Sequence, residues 1–218
     1  MRHKLSILIV LMGLFYIFGI PDTPEPLNLL FKIIPIALMM ALALRAPVSL
    51  YRHLVLIGLG ICMIGDLTIR WFVVGLSAFL IGHLFYIFAF IKRWRFSWLS
   101  LSSIIGLLAY MLWLGARLIS AISINHPELQ ISIVFYMSII GLMCFTAIMT
   151  RQPMAIAGAI LFVISDSILA WNQFVETLPF ATALVMSTYY TAQFLIMSSV
   201  YRHEAQALAL KKVRALGV

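Results

Sequence analysis

The amino-acid sequence predicts an all-α, polytopic membrane protein with eight transmembrane helices. Of its 218 residues, 64% are hydrophobic and only 10% are charged, and its mean hydropathy is +1.09. Soluble globular proteins do not combine these values. Each crossing of a hydrocarbon core of roughly 30 Å needs about 20 apolar residues. Because the connections between apolar runs are short, we expect one eight-helix transmembrane domain at 1–201 and a basic cytoplasmic tail at 202–218.

Eight runs with few charges define the expected helices in chain order. They cover residues 5–20, 27–44, 53–69, 72–91, 97–116, 131–149, 153–171 and 179–201. The first run is interpreted as a helix rather than a cleavable signal, because FGIPDT offers no small-x-small cleavage site. Cys62 and Cys144 both fall inside expected spans, where they are interpreted as small packing residues rather than a disulfide or a metal pair.

We attribute the net charge of +8 to Lys and Arg residues that accumulate on the cytoplasmic side of a membrane protein, rather than to a nucleic-acid partner. With both termini cytoplasmic, most Lys and Arg residues fall on the cytoplasmic side, and only Arg70 and Arg117 fall outside. Acidic residues mirror this bias and occupy the opposite connections: Asp22, Glu25, Glu128 and Glu176. The tail EAQALALKKVRALGV has two interpretations, a short basic helix on anionic lipid or a disordered segment.

Three charged residues lie well inside the expected spans: Lys32, Asp66 and Asp166. At about 1.5 Å of rise per residue, Asp66 lies roughly 21 Å above Arg52 and Asp166 roughly 22 Å above Arg151. Lys32 lies at a similar depth in the extracytoplasmic half of the bilayer. Such residues cost several kcal/mol unless they are paired or face a wet cavity. We expect one polar pocket; the alternative is an ion-pair network that only locks three helices together.

The two aspartates also occupy matching positions in two similar segments. ICMIGDLTIRW (61–71) aligns without a gap on LFVISDSILAW (161–171), one hundred positions later. Few residues are identical, so chance similarity is the alternative. If the similarity is a repeat, the even number of intervening helices makes it a parallel internal repeat.

Further polar side chains on neighbouring helices are candidates for the same pocket. His83 and Tyr86 are three residues apart on the fourth expected helix, and Tyr190 and Gln193 are three apart on the eighth. A histidine bonded to a carbonyl and a tyrosine that bridges helices are the structural alternatives for His83 and Tyr190.

Several segments resemble the YhhN-type lysoplasmalogenase family over roughly residues 27 to 200. They are FK in the second helix, GDLTI, GLSAFLIGHLFYIFAF, AGAILFVISDSILA and VMSTYYTAQFLI. One departure is the order KIIP, where family members commonly have Lys followed directly by Pro. The resemblance implies an eight-helix hydrolase that cleaves the vinyl-ether bond of lysoplasmalogens, with Asp66 and Asp166 matching the family's presumed catalytic pair.

The implied chemistry suits two carboxyl groups. A vinyl ether is hydrolysed by proton transfer to carbon, attack of water on the oxocarbenium ion, and collapse of the hemiacetal to an aldehyde and an alcohol. One protonated carboxyl group can serve as general acid while an ionised one stabilises the cation; Asp166 is slightly preferred as the acid. Lys32 either pairs with an aspartate or meets the substrate phosphate, and His83, Tyr86, Tyr190 and Gln193 support the site.

No cofactor or metal is expected, because no HExxH, GxSxG or Walker motif occurs in the sequence. The expected partners are a lysophospholipid substrate, water and membrane lipid. Two other classes remain open: a proton- or cation-coupled transporter that uses the same aspartates, and a non-enzymatic lipid-binding scaffold. We expect a multi-pass protein of a bacterial inner membrane, although an endoplasmic reticulum membrane gives the same charge bias.

Overall fold

A computed structural model of the chain describes residues 2–20 and 25–215, with side chains described for 3–20, 26–123 and 126–201. Within these ranges the fold is all-α, as predicted. The helices are α1 (Arg2–Gly19), α2 (Glu25–Ala43), α3 (Leu50–Thr68), α4 (Phe72–Ile91), α5 (Trp98–Asn125), α6 (Gln130–Met149), α7 (Pro153–Phe174) and α8 (Ala181–Ala215). One turn of 3₁₀ helix, Pro127–Leu129, precedes α6.

Six of these helices, α2 to α7, are long and apolar enough to cross a bilayer. Many of their large apolar side chains point outward, as expected where lipid is the solvent. The chain is therefore a multi-pass integral membrane protein. The apolar part of α1 is shorter, at His3–Gly19, and the first half of α8 carries several hydroxyl and amide side chains.

Two helices extend beyond their predicted ends. We predicted that the fifth span ends at residue 116, but α5 continues to Asn125. The charge of Arg117 suggested a boundary, yet Leu118 and Ile122 beyond it are buried in one apolar cluster with Ile133 of α6, and this packing favours a continued helix. Helix α8 likewise runs past residue 201 to Ala215, so its helical backbone enters the segment assigned to a tail; residues 216–218 of that tail lie outside the described part.

Glycines bring each aspartate-bearing helix close to the helix that follows it. A Cβ atom at Gly58 of α3 would lie 2.4 Å from the Tyr86 ring of α4. At Gly158 of α7 it would lie 2.9 Å from the carbonyl oxygen of Ala192 in α8. Gly58 and Gly158 each precede their aspartate by eight residues. The hairpins α3/α4 and α7/α8 thus share one packing device, and the internal repeat stays a prediction.

Hydrogen bonds buried among the helices join these hairpins to each other and to α2. The Tyr51 and Ser199 hydroxyls are 2.6 Å apart and connect α3 to α8. The Arg52 guanidinium donates to the carbonyl oxygens of Leu44 and Ala46, which follow the end of α2. Such bonds satisfy carbonyls that a helix terminus leaves without an internal partner.

Candidate active site

Asp66 lies near the end of α3 with 2% of its surface exposed. The ammonium nitrogen of Lys32, on α2, is 3.2 Å from Oδ1 of Asp66 and 3.4 Å from its main-chain carbonyl oxygen. The Tyr189 hydroxyl of α8 donates to Oδ2 over 2.7 Å. Three helices therefore meet at this carboxylate, with a cation on one oxygen and a phenol on the other.

Asp166 occupies the corresponding place on α7 but has different surroundings. Its Oδ2 accepts a hydrogen bond from the hydroxyl of Tyr136 on α6. In the described residues the salt-bridge partner of Lys32 is Asp66, so the two carboxyl groups differ in charge compensation. A carboxyl group without a nearby cation is more easily held in its neutral form in a low-dielectric site.

Both carboxyl groups face a cavity of about 250 Å³ that is lined by residues of all eight helices. Its polar lining groups include Lys32, Asp66, Asp166 and the three tyrosines Tyr16, Tyr136 and Tyr189. The remaining wall is mostly apolar, with Phe79, Met111 and Ile140 among its residues. Drug-sized ligands occupy pockets of roughly 300–1,000 Å³, so this cavity suits one portion of a lipid rather than a whole one.

The structure brings together the three charged residues singled out from sequence and separates them from the other candidates. Tyr190 donates to the carbonyl oxygen of Lys32 over 2.7 Å and supports the backbone that carries this lysine. Tyr86 donates to Oε1 of Gln193 over 2.6 Å, in a buried contact between α4 and α8. Neither Tyr86, Tyr190 nor Gln193 lines the cavity.

His83 is fully buried between two aromatic rings beside the cavity. Its ring centroid is 5.6 Å from that of Tyr136 and 4.6 Å from that of Phe162. Among the described residues, neither ring nitrogen of His83 has a hydrogen-bond partner, and the same holds for Nε2 of Gln193. His83 thus contacts the ring of the tyrosine that bonds to Asp166, rather than the cavity itself.

Sequence reasoning missed the tyrosines that bond to the two aspartates. Tyr189 directly precedes the predicted Tyr190, and adjacent residues of a helix point about 100° apart. Tyr136 lies in the short run IVFYM, where its hydroxyl is the one polar side-chain group. A buried tyrosine hydroxyl usually finds a partner, so mid-span tyrosines at the depth of a buried carboxylate are reasonable candidates for its donors.

A metal site in a protein needs several ligand side chains close together. In the part of the chain with described side chains, no three His, Cys, Asp or Glu residues are grouped as a metal site requires. The arrangement consists instead of two carboxyl groups, one ammonium and three phenols around a small cavity. Such groups can donate, accept and hold protons at a buried reacting atom.

The fold and the cavity define a multi-pass membrane protein with two carboxyl groups that line one cavity. Residues 27–200 match the YhhN family, and the chain belongs to this family.

Named relatives cover most of the chain. It is 33% identical over 206 residues to "Lysoplasmalogenase TMEM86B" of Rattus norvegicus, covering 92% of this chain and 85% of that protein. Identity to "Lysoplasmalogenase TMEM86B" of Homo sapiens is 32% over 162 residues, covering 72% and 67%. Identity to "Lysoplasmalogenase TMEM86A" of Bos taurus is 30% over 210 residues, covering 85% and 83%. No solved structure matches the chain.

Proposed function

We propose that this protein is a lysoplasmalogenase, which hydrolyses the vinyl-ether bond of a lysoplasmalogen to a fatty aldehyde and a glycerophosphocholine or glycerophosphoethanolamine. Two kinds of support agree. The relatives named lysoplasmalogenase align with this chain over most of their length. The cavity holds two carboxyl groups, one paired with a lysine and the other bonded to a tyrosine. The pair of carboxyl groups supports the proposed mechanism, because the reaction needs both a proton donor and an anion beside the C=C bond of the vinyl ether.

In the proposed mechanism Asp166 is the general acid. Its proton passes to the β-carbon of the vinyl ether, and the electrons of the C=C bond form the new C–H bond. The resulting oxocarbenium ion carries its positive charge on the α-carbon and the ether oxygen. Tyr136 holds Oδ2 of Asp166, which leaves Oδ1 as the oxygen that carries the proton toward the substrate.

Asp66 is the partner that remains ionised in this proposal. Lys32 balances its charge and Tyr189 fixes its orientation, while the carboxylate stabilises the cation and accepts a proton from the attacking water. Addition of that water gives a hemiacetal. Its C–O bond to glycerol breaks as Asp66 returns its proton to the leaving oxygen and Asp166 accepts the proton of the hemiacetal hydroxyl, which restores both carboxyl groups. The sum is one vinyl ether and one water consumed, and one aldehyde and one alcohol formed.

We further propose that α1 and α8 complete eight spans with both termini in the cytoplasm of a bacterial cell membrane. This orientation places the cavity in the extracytoplasmic half of the bilayer, in line with the distribution of Lys and Arg along the chain. Arg70, whose guanidinium lies 4.1 Å from the ring centre of Trp71, then sits at the outer surface, where it can attract the substrate phosphate.

The test is aldehyde release from purified lysoplasmalogen by the protein in detergent or liposomes. We expect activity in the wild type and its loss in Asp66→Asn and Asp166→Asn. Glu176→Gln is the matched control, since it makes the same chemical change at an exposed position outside the cavity, and it should retain activity. All variants are first checked for helical content and monodispersity.

A well-folded wild type that releases no aldehyde from choline or ethanolamine substrates would refute this function. Uptake driven by an ion gradient in vesicles would then support the transporter alternative, for which the buried Lys32–Asp66 pair is the relevant observation. Full activity in either asparagine variant would refute the mechanism while leaving the reaction in place.

A further inference from the structure

A second and larger cavity lies between α5 and α6, on the outer side of the bundle. Its volume is about 590 Å³, and its lining is almost entirely apolar. The lining residues run from Ile104 to Ile119 on α5 and from Val134 to Phe145 on α6. Helix α5 lies at the periphery of the bundle, and 52% of the surface of Leu108 and 73% of that of Leu112 are exposed. This groove therefore opens toward the surrounding lipid.

The α5/α6 groove lies next to the catalytic cavity and shares two methionines with it. Met111 and Met137 line both spaces. Each lies against a glycine of the opposite helix: the Met137 Cε is 3.5 Å from the Cβ position of Gly115, and the Met111 Cγ is 3.6 Å from that of Gly141. Methionine is unbranched and flexible, so the two side chains that border both spaces can move without displacing a helix.

The dimensions of the groove match one hydrocarbon chain. Fifteen residues of α5 separate its ends, which corresponds to about 22 Å at 1.5 Å per residue. One leaflet has a hydrocarbon depth of about 15 Å, half of the roughly 30 Å core. Met111 lies seven residues from Ile104, so a tail whose proximal end reaches the methionines has about 10 Å of groove to lie in before it continues into the bilayer. The catalytic cavity alone, at about 250 Å³, suits only the segment near the ether bond.

We propose that the α5/α6 groove binds the hydrocarbon tail of the lipid substrate and is the lateral entrance from the bilayer, with Met111 and Met137 as its gate. This inference rests on the proposed function, because it assigns the tail to the groove and the vinyl ether to the cavity with the aspartates. The occupant is one alkyl chain of a single-tailed lipid, since the groove offers no charged group for a headgroup or a soluble peptide.

A substitution that fills the groove provides the kinetic test. Gly115→Phe places a ring beside Met137, and Gly106→Phe is the matched control on the same helix, where a Cβ meets nothing within 4 Å and which lines neither cavity. For a long-chain substrate we expect kcat/KM to fall about tenfold or more in Gly115→Phe, the equivalent of losing about two buried methylenes.

Substrate length separates tail binding from damage to the catalytic site. A vinyl ether with a tail of a few carbons fits the catalytic cavity, so its kcat/KM should stay within about twofold of wild type in Gly115→Phe, because it makes no groove contact to lose. Gly106→Phe should leave both substrates unaffected. Equal losses for long and short substrates, or equal losses in the two variants, would overturn the proposal. If Gly115→Phe does not fold, Gly141→Phe fills the groove from the other helix.

A binding measurement without turnover distinguishes failure of this inference from failure of the proposed function. The probe is a lysophospholipid with a diazirine in its acyl chain, photolysed with the Asp166→Asn protein in liposomes. We expect labelled peptides from 104–119 and 134–145, with labelling reduced in a Gly115→Phe background and retained with Gly106→Phe. Labelling confined to other helices would overturn the proposal that the tail binds in the α5/α6 groove. A labelled groove, together with a well-folded wild type that releases no aldehyde, would refute the reaction and support the tail site.

Discussion

Removing the ammonium group of Lys32 should destabilise the protein more than neutralising a charged residue at an exposed position does. The side chains of Lys32 and Asp66 are exposed by 12% and 3%, with 3.2 Å between Nζ and Oδ1. At an effective dielectric constant of about 20, their attraction is about 5 kcal/mol. Lys32→Met leaves the Asp66 carboxylate buried without a cation, a change that typically costs about 3–5 kcal/mol. Because Tyr189 continues to donate to Oδ2, we expect about 3 kcal/mol.

The assay is reversible unfolding in mixed micelles, followed by loss of helical circular dichroism. Lys92→Met, a neutralisation at an exposed position, is the control and should change the free energy of unfolding by less than about 0.5 kcal/mol. The double variant Lys32→Met/Asp66→Asn should recover most of the loss, since it removes both charges together. A Lys32→Met protein as stable as the control, or a double variant no better than the single one, would refute the assignment of a buried ion pair.

Two further outcomes follow from the same contacts. Tyr136→Phe removes the hydroxyl that holds Asp166, so we expect kcat for aldehyde release to fall about tenfold with helical content unchanged; an unaltered kcat would show that this bond does not position the acid. Gly158→Ala places a Cβ 2.8 Å from Ile196 Cγ1, so the free energy of unfolding should fall by about 1–3 kcal/mol. Gly106→Ala, in open space, should not lower it, and matching losses in both variants would contradict the packing argument.

The helices and the charged layer were predictable from sequence because a bilayer imposes a simple rule. A helix that crosses it must be long and apolar, and charged residues within it must be paired or functional. That rule identified Lys32, Asp66 and Asp166, which line one cavity. It failed at the end of α5, where the helix continues past Arg117 because the residues that follow include the buried Leu118 and Ile122.

The tyrosines could not be predicted, because their roles depend on rotation about each helix axis. Tyr189 faces Asp66, whereas its neighbour Tyr190 bonds to the backbone of α2. Hydropathy and spacing do not set that rotation when apolar residues surround the helix on all sides. For the same reason the spacing of His83 and Tyr86 indicated a shared inward face, but it did not distinguish the cavity lined by the aspartates from the buried layer beside it.

The glycine-packed hairpins have a consequence for how the two carboxyl groups are held relative to each other. Each aspartate is carried by a hairpin whose helices touch closely, so each hairpin is expected to move as one body. The separation of the carboxyl groups then depends on the few bonds that cross between the bodies, such as Tyr86 to Gln193 and Tyr189 to Asp66. A change at that seam would alter the distance between the two carboxyl groups while leaving the packing inside each hairpin intact.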